Sequence, residues 1–325
     1  MLARHAENMF WAGRYLERAE DTARMLQATL RSSVTSGPGA ATANHRALLA
    51  TLRLDDGSDA AAPIGTAALI DRLVARADAP GSIVHSVGQA RENLRSLREQ
   101  IPSELWEHGN RLHLRLRRPD FGDRLANEPF DTLDMVKTSC QTLAGIVATA
   151  MARHEGYRFL ILGQTLERSL MTCRLLSVRA PLLRDRSYDE MAVTLRSASA
   201  LEAYQRAYVA SGDPNQIVHF LLCSDRFPRA VLYCLRQAED QLASLSDRQT
   251  RPMRLMGQVR SQLEFADFEE LLRDLPAQLE HYEDQIRHVA AAIGTQYFRS
   301  AEEVDLHSQL LLPGADVTPV AEGQR

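Results

Sequence analysis

A stripe of apolar residues at three- and four-residue spacing decides the fold class of this chain. Met9, Ala12, Leu16, Ala19, Ala23, Leu26 and Leu30 follow one another at those intervals, the period of an amphipathic helix. The same rhythm recurs in long windows through all 325 residues. No window alternates apolar and polar residues as a half-buried strand would. The chain therefore reads as all-α, a multi-helix bundle.

After the first helix the stretch "SVTSGPGAATAN" is expected to break the pattern with Gly and Pro. Further helices are expected near 44–54, 64–78, 81–100, 102–118, 130–152, 154–180, 188–211, 214–223, 227–246, 251–263, 265–273 and 276–299. Pro102, Pro228 and Pro276 mark three of the starts. The loop "DDGSDAAAP" carries Asp55, Asp56 and Asp59 without the spacing of a calcium loop, and reads as a solvated turn. Residues 1–312 read as one helical domain, and 313–325 as a disordered tail.

The chain also writes one helix twice. "GRYLERAEDTARML" starts at Gly13 and "GQTLERSLMTCRLL" at Gly163, 150 residues later. They share Gly, Leu-Glu-Arg, Thr, Arg and a final Leu at matching positions. A second pair, "PGSIVHSVGQARENL" from Pro80 and "PRAVLYCLRQAEDQL" from Pro228, has an offset of 148. Helical patterning alone would fix the apolar positions but not the shared Gly, Glu, Arg and Thr. The expectation is two internally duplicated halves, about 1–150 and 151–312, related by a pseudo-twofold. The alternative is two amphipathic helices alike by composition.

Side chains advance about 100° per residue on a helix. Measured from Leu16, the apolar stripe of the first helix centres near about −30°, and Glu20, Gly13, Arg24 and Glu17 fall at roughly 40°, 60°, 80° and 100°. They form one polar strip on the border of the buried face, with Arg14, Arg18 and Arg168 expected to point further out. Glu20 and Arg24 stand at i,i+4 in the favourable order. In the second copy Gly163, Arg174 and Glu167 keep their angles while Leu170 replaces a glutamate. Two readings fit such a strip. One is an interhelical ion-pair network that fixes register. The other is a polar pocket for a charged ligand or peptide end, which arginine recognises bidentately as carboxylate or phosphate. Any such site is expected to be dominated by the Glu17–Glu20–Arg24 side.

Other chemistry is thinly represented. The net charge of −4 argues against a general nucleic-acid binder. Lys137 is the only lysine, which leaves almost no amine for a Schiff base and no P-loop lysine. Cys140, Cys173, Cys223 and Cys234 form no C-x-x-C pair and read as buried thiols of a reducing compartment. His154-Glu155 lacks the second histidine of a zincin motif, His281 and His288 make an unconvincing ligand pair, and no histidine follows a glutamate at the di-iron spacing, so no metal is expected. There is no G-x-S-x-G, Walker A or G-x-G-x-x-G, and no cofactor is expected. The N-terminus lacks a signal-peptide core, and the longest apolar run, "LAGIVATAMA", is too short for a bilayer, so a cytoplasmic protein is expected.

"AENMFWAGRYLERAEDTARML", "ARENLRSLREQIPSELWE", "GYRFLILGQTLERSLMTCRLL" and "FLLCSDRFPRAVLYCL" together resemble the alpha-E domain family over roughly residues 1–300. The family is helical and named for its glutamates. The resemblance brings no catalytic activity with it. It implies work beside an ATP-grasp-type ligase and a transglutaminase-like protein, in ATP-dependent peptide or amide-bond formation or peptide modification. Carried onto this chain, its polar positions are Glu7, Arg14, Glu17, Arg18, Glu20, Arg24, Arg91, Glu92, Asn93, Glu167, Arg168, Arg174 and Arg229. The chain departs from the family's second copy at Gln164, Ser169 and Leu170. The leading expectation is an accessory protein that binds and presents a substrate or docks on the ligase. The alternatives are an enzyme using Glu17 or Glu20 as acid/base, with Arg24 and Arg174 steering an anionic substrate, and an oligomerisation module with Trp11 at its interface.

Overall fold

The computed structural model describes residues 1–35, 37–54, 64–183, 187–208, 212–246 and 248–298. The acidic loop 55–63 and the expected tail 313–325 lie outside them. The α-helices in chain order are α1 (Ala3–Thr35), α2 (Pro38–Thr51), α3 (Thr66–Ile70), α4 (Ile83–Arg95), α5 (Ser103–Leu116), α6 (Phe121–Asn127), α7 (Pro129–Ala150) and α8 (Glu155–Leu183). They continue as α9 (Tyr188–Ser197), α10 (Leu201–Tyr208), α11 (Pro214–Cys223), α12 (Val231–Ala243), α13 (Arg251–Glu264), α14 (Phe268–Arg273) and α15 (Leu275–Ile293). Two π-helical turns extend α3 and α15, at Asp71–Ala75 and Gly294–Phe298. Among the described residues there is no strand, as the periodicity requires.

The long helices α1 and α8 lie against each other at the centre. α1 packs on α4 and α7, with α5 outside them. α8 packs on α12 and α15, with α13 outside those. α2 and α9 touch both central helices. The stripe that announced α1 is core: Met9, Ala12, Ala19, Ala23 and Leu26 are all fully buried. Because α1 has neighbours on most sides, its polar flank is covered as well.

α6 is a short helix where none was expected, and three element boundaries differ from expectation, each for a local reason. α2 begins at Pro38, inside the stretch read as a break, because Pro38 occupies the first turn, where its missing N–H is harmless, and alanines follow. The expected helix 188–211 is two helices, parted where Ser199 takes a left-handed φ of 50°. α12 starts at Val231 with Ala230 as its N-cap, so Pro228 and Arg229 lie in the preceding turn instead of in the helix. That last difference frees the Arg229 side chain to reach α1.

Candidate functional site at the α1–α8 crossing

Two glycines bring the central helices into backbone contact. A Cβ on Gly13 would collide with the Leu160 carbonyl oxygen, and one on Gly163 with the Phe10 carbonyl oxygen. Each glycine seats the residue three before the other. Only a residue without Cβ fits at either place.

One helical turn beyond the glycines, the two Glu-Arg dipeptides grip each other. Arg168 donates from Nε and a terminal nitrogen to the two oxygens of Glu17, both at 2.7 Å. Arg18 donates from Nε to Glu167 at 2.6 Å, and Arg14 donates to the other Glu167 oxygen at 2.8 Å. Arg14, 2% exposed, is among the largest fully buried side chains of the protein. The expectation that Arg14, Arg18 and Arg168 point outward is thus corrected. It assumed that α1 and α8 each keep a solvent side, and each lies on the other's polar flank.

Arg229 completes the cluster from the turn before α12. It donates to Glu17 and Asp21 at 2.8 Å and to both oxygens of Glu20 at 2.7 Å. Arg24 bonds Asp21 and the Ser197 carbonyl oxygen. Its Nε stands 3.9 Å from Glu20, so the expected i,i+4 pair is only a loose contact. On this side Arg24, Arg168 and Arg229 balance Glu17, Glu20 and Asp21.

Burial alone would raise the Glu17 carboxyl, but Arg168 and Arg229 outweigh it and hold the group down at about 2. Glu167 is likewise held at about 2 by Arg18 and Arg14 against its burial. Asp21 goes the other way. Burial lifts it to about 7, against the pull of Arg24 and with the push of Glu17. Its Oδ2 has no hydrogen-bond partner, and neither has Arg24 Nε. A void bounded by Gly13, Glu17, Glu20, Cys140, Leu143 and Gln164 measures about 10 Å³, room for one water at most.

Four of the sequence-derived positions lie apart from this cluster. Among the described residues no hydrogen bond or ion pair ties Glu7 to it. Arg91 bonds Asn110 at 3.1 Å and Glu92, and its guanidinium lies over Trp106 at 5.4 Å. Arg95 closes on Glu92 at 2.8 Å, and the Asn93 carbonyl oxygen accepts from Ser96. These residues form a surface patch of α4 and α5.

Arg174 faces α15. Its Nε lies 3.4 Å from Glu283, which also accepts from Arg53 at 3.0 and 3.1 Å and from Arg287 at 3.3 Å. Asp21, Glu283 and Arg53 escaped the sequence reading. Glu283 had a signal, since it lies four after Leu279 and three before Ile286 on the buried face of α15. Arg53 had none. No group of His, Cys, Asp and Glu among the described residues has the arrangement of a metal site.

A family model described as "A predicted alpha-helical domain with a conserved ER motif" matches residues 1–298. The chain belongs to the Alpha-E family. Glu-Arg occurs twice in this Alpha-E chain, at Glu17-Arg18 and Glu167-Arg168, and those two dipeptides are the ones that interlock. An uncharacterized protein of Mycobacterium bovis is 25% identical over 94% of this chain and 37% of its own length. An uncharacterized protein of Mycobacterium tuberculosis is 24% identical over the same shares. The chain thus spans little more than a third of the curated relatives it matches. No solved structure matches. No helix among the described residues is long and apolar enough to cross a membrane.

Proposed function

We propose that this Alpha-E chain is a helical accessory module whose Glu-Arg cluster locks two halves together, and that it acts with an ATP-grasp amide or peptide ligase and a transglutaminase-like partner. The reciprocal clasp, Glu17 with Arg168 and Arg18 with Glu167, carries the structural half of this reading. Glu17 is saturated by Arg168 and Arg229 and the adjoining void is about 10 Å³, so a substrate has no place beside it. The ligase half rests on the resemblance of the sequence motifs.

The same contacts support an internal duplication. The glycines, the dipeptides and the neighbours of α1 and α8 correspond pairwise at the offset of the two sequence copies. Two copies packed face to face about a pseudo-twofold would each offer a glutamate to the other's arginine.

The test is reconstitution with the ATP-grasp and transglutaminase-like proteins. Co-purification, or a change in ligase turnover on adding the chain, supports the module. No association and unchanged turnover would sink it. The enzyme reading gains one observation, the Asp21 carboxyl lifted to about 7, a value suited to acid/base work. Its sealed position in the cluster counts against it, as does the depressed Glu17.

A further inference from the structure

On the Glu17 side of the crossing three arginines meet three acidic side chains. The Glu167 side has no such match. There Arg14, Arg18, Arg53, Arg174 and Arg287 face three carboxylates, Glu167, Glu283 and Asp284. Leu170 and Met171 stand where the other side has Glu20 and Asp21, so the cations of this side lack the acids of their counterparts.

Two of these arginines are underused. Arg174 keeps only 9% of its side chain exposed, and commits only Nε, in a long 3.4 Å contact. Arg18 commits only Nε, to Glu167. The terminal nitrogens of both make no hydrogen bond with a described residue, and unlike Arg24 Nε they are not sealed from water. Burial pushes the Arg174 guanidinium down, and Arg18 and Arg53 add to that against the pull of Glu283 and Glu167. Those donors are reached by water and by no group of the described protein, so an incoming acceptor has only water to displace there.

Backbone strain marks the same place. Arg53 has a left-handed φ of 56° just past α2. Leu54 N–H reaches Leu49 O at 2.8 Å and Arg53 N–H reaches Ala50 O at 3.0 Å, a helix end that normally carries glycine. An arginine held there costs conformational energy. What it supplies is a guanidinium, 44% exposed, on the Glu283 carboxylate beside Arg174.

We infer that Arg174, Arg18, Arg53 and Arg287 form a binding site for an oxyanion, the carboxylate or phosphate group of a small molecule or chain end. Guanidinium forks recognise these groups in two-point fashion. Arg53 and Arg287 are its more exposed members, and Arg18 and Arg174 its more buried ones. The site goes beyond the ligase partnership and does not depend on it.

Titration calorimetry on the full chain, at constant ionic strength balanced with chloride, tests it. The probes are inorganic phosphate, N-acetyl-alanyl-alanine, and the C-terminal amide of that dipeptide. Saturable binding of phosphate or of the dipeptide acid, with none for the amide, is expected, and which anion binds identifies the source. Arg174→Gln is expected to weaken binding about tenfold, through loss of a charged donor pair. Arg53→Gly suits the left-handed backbone and is expected to weaken binding several-fold. If Arg174→Gln fails to fold, Arg53→Gly and Arg287→Gln decide. Absence of saturable binding to either anion, or affinities unchanged in the folded variants, overturns the site.

Discussion

Arg168 holds both oxygens of Glu17 at 2.7 Å across the two central helices. Its mirror contact, Arg18 on Glu167, is as short and as buried at the carboxylate. Ion pairs of this depth are costly to break from one side. The partner left behind keeps its desolvation and loses its counter-charge. Glu167→Gln strands Arg14 and Arg18 and is expected to cost about 3–5 kcal/mol. Urea unfolding reads this directly. A loss below about 1 kcal/mol, the range of exposed pairs, would remove the cluster from its structural role.

The glycine contacts make a sharper test, since they involve no charge. Gly13→Ala or Gly163→Ala places a methyl group into an opposing carbonyl oxygen. Overpacking of this kind is expected to cost about 3 kcal/mol. Gly145 on α7 has nothing within 4 Å of an added Cβ, and Gly145→Ala should stabilise by about 0.5–1 kcal/mol through helix propensity. Thermal melting of the three variants should separate them in opposite directions.

Asp21 and Glu17 give opposite dependences on pH. An unfolded carboxyl titrates near about 4, whereas folded Asp21 does so near 7. Between those values the unfolded chain has released a proton that the folded chain keeps, so the Asp21 contribution falls as pH rises. Asp21→Asn abolishes that slope. The difference in urea midpoint between the variant and the parent should therefore grow in the variant's favour from pH 5 to pH 8. A constant difference would place the Asp21 carboxyl in the ordinary range.

Glu17 and Glu167, held at about 2, contribute stability that is fully present above about 4.5. It drains as pH falls from there toward 2. Unfolding midpoints at pH 5 and pH 3 should show a steep loss in the parent chain. Glu17→Gln has less left to lose and should show a shallower one.

The patch around Arg91 should behave as ordinary surface. Arg91→Ala removes a contact with Trp106 and a half-exposed pair with Glu92, and is expected to change stability by about 0.5 kcal/mol or less. A change of several kcal/mol would mean that Arg91 belongs to the core network after all.

Much of this architecture is legible in the sequence. The apolar stripe of α1 is core and the glycine at its crossing admits a close neighbour, as their spacing implied. What spacing could not convey was which helix would cover which flank. An angular projection assigns Arg14 and Arg18 to the outside because it presumes a helix with one wet side. Enclosure by α8, α4 and α7 removes that side, and with it the basis for calling a polar residue peripheral. Arg229 was picked by resemblance, yet its reach depends on α12 starting late, at Val231. Glu283 lies on the apolar face of α15, where one glutamate in a stripe reads as its edge.

The four-residue step from Gly13 to Glu17, repeated from Gly163 to Glu167, has one more implication. A residue inserted in that step would leave the glycine seated but swing the glutamate about 100° around the axis. One deleted would swing it the other way. Steric fit and charge fit can be met together at one spacing alone, so the length of this stretch is held as strictly as its glycine and glutamate.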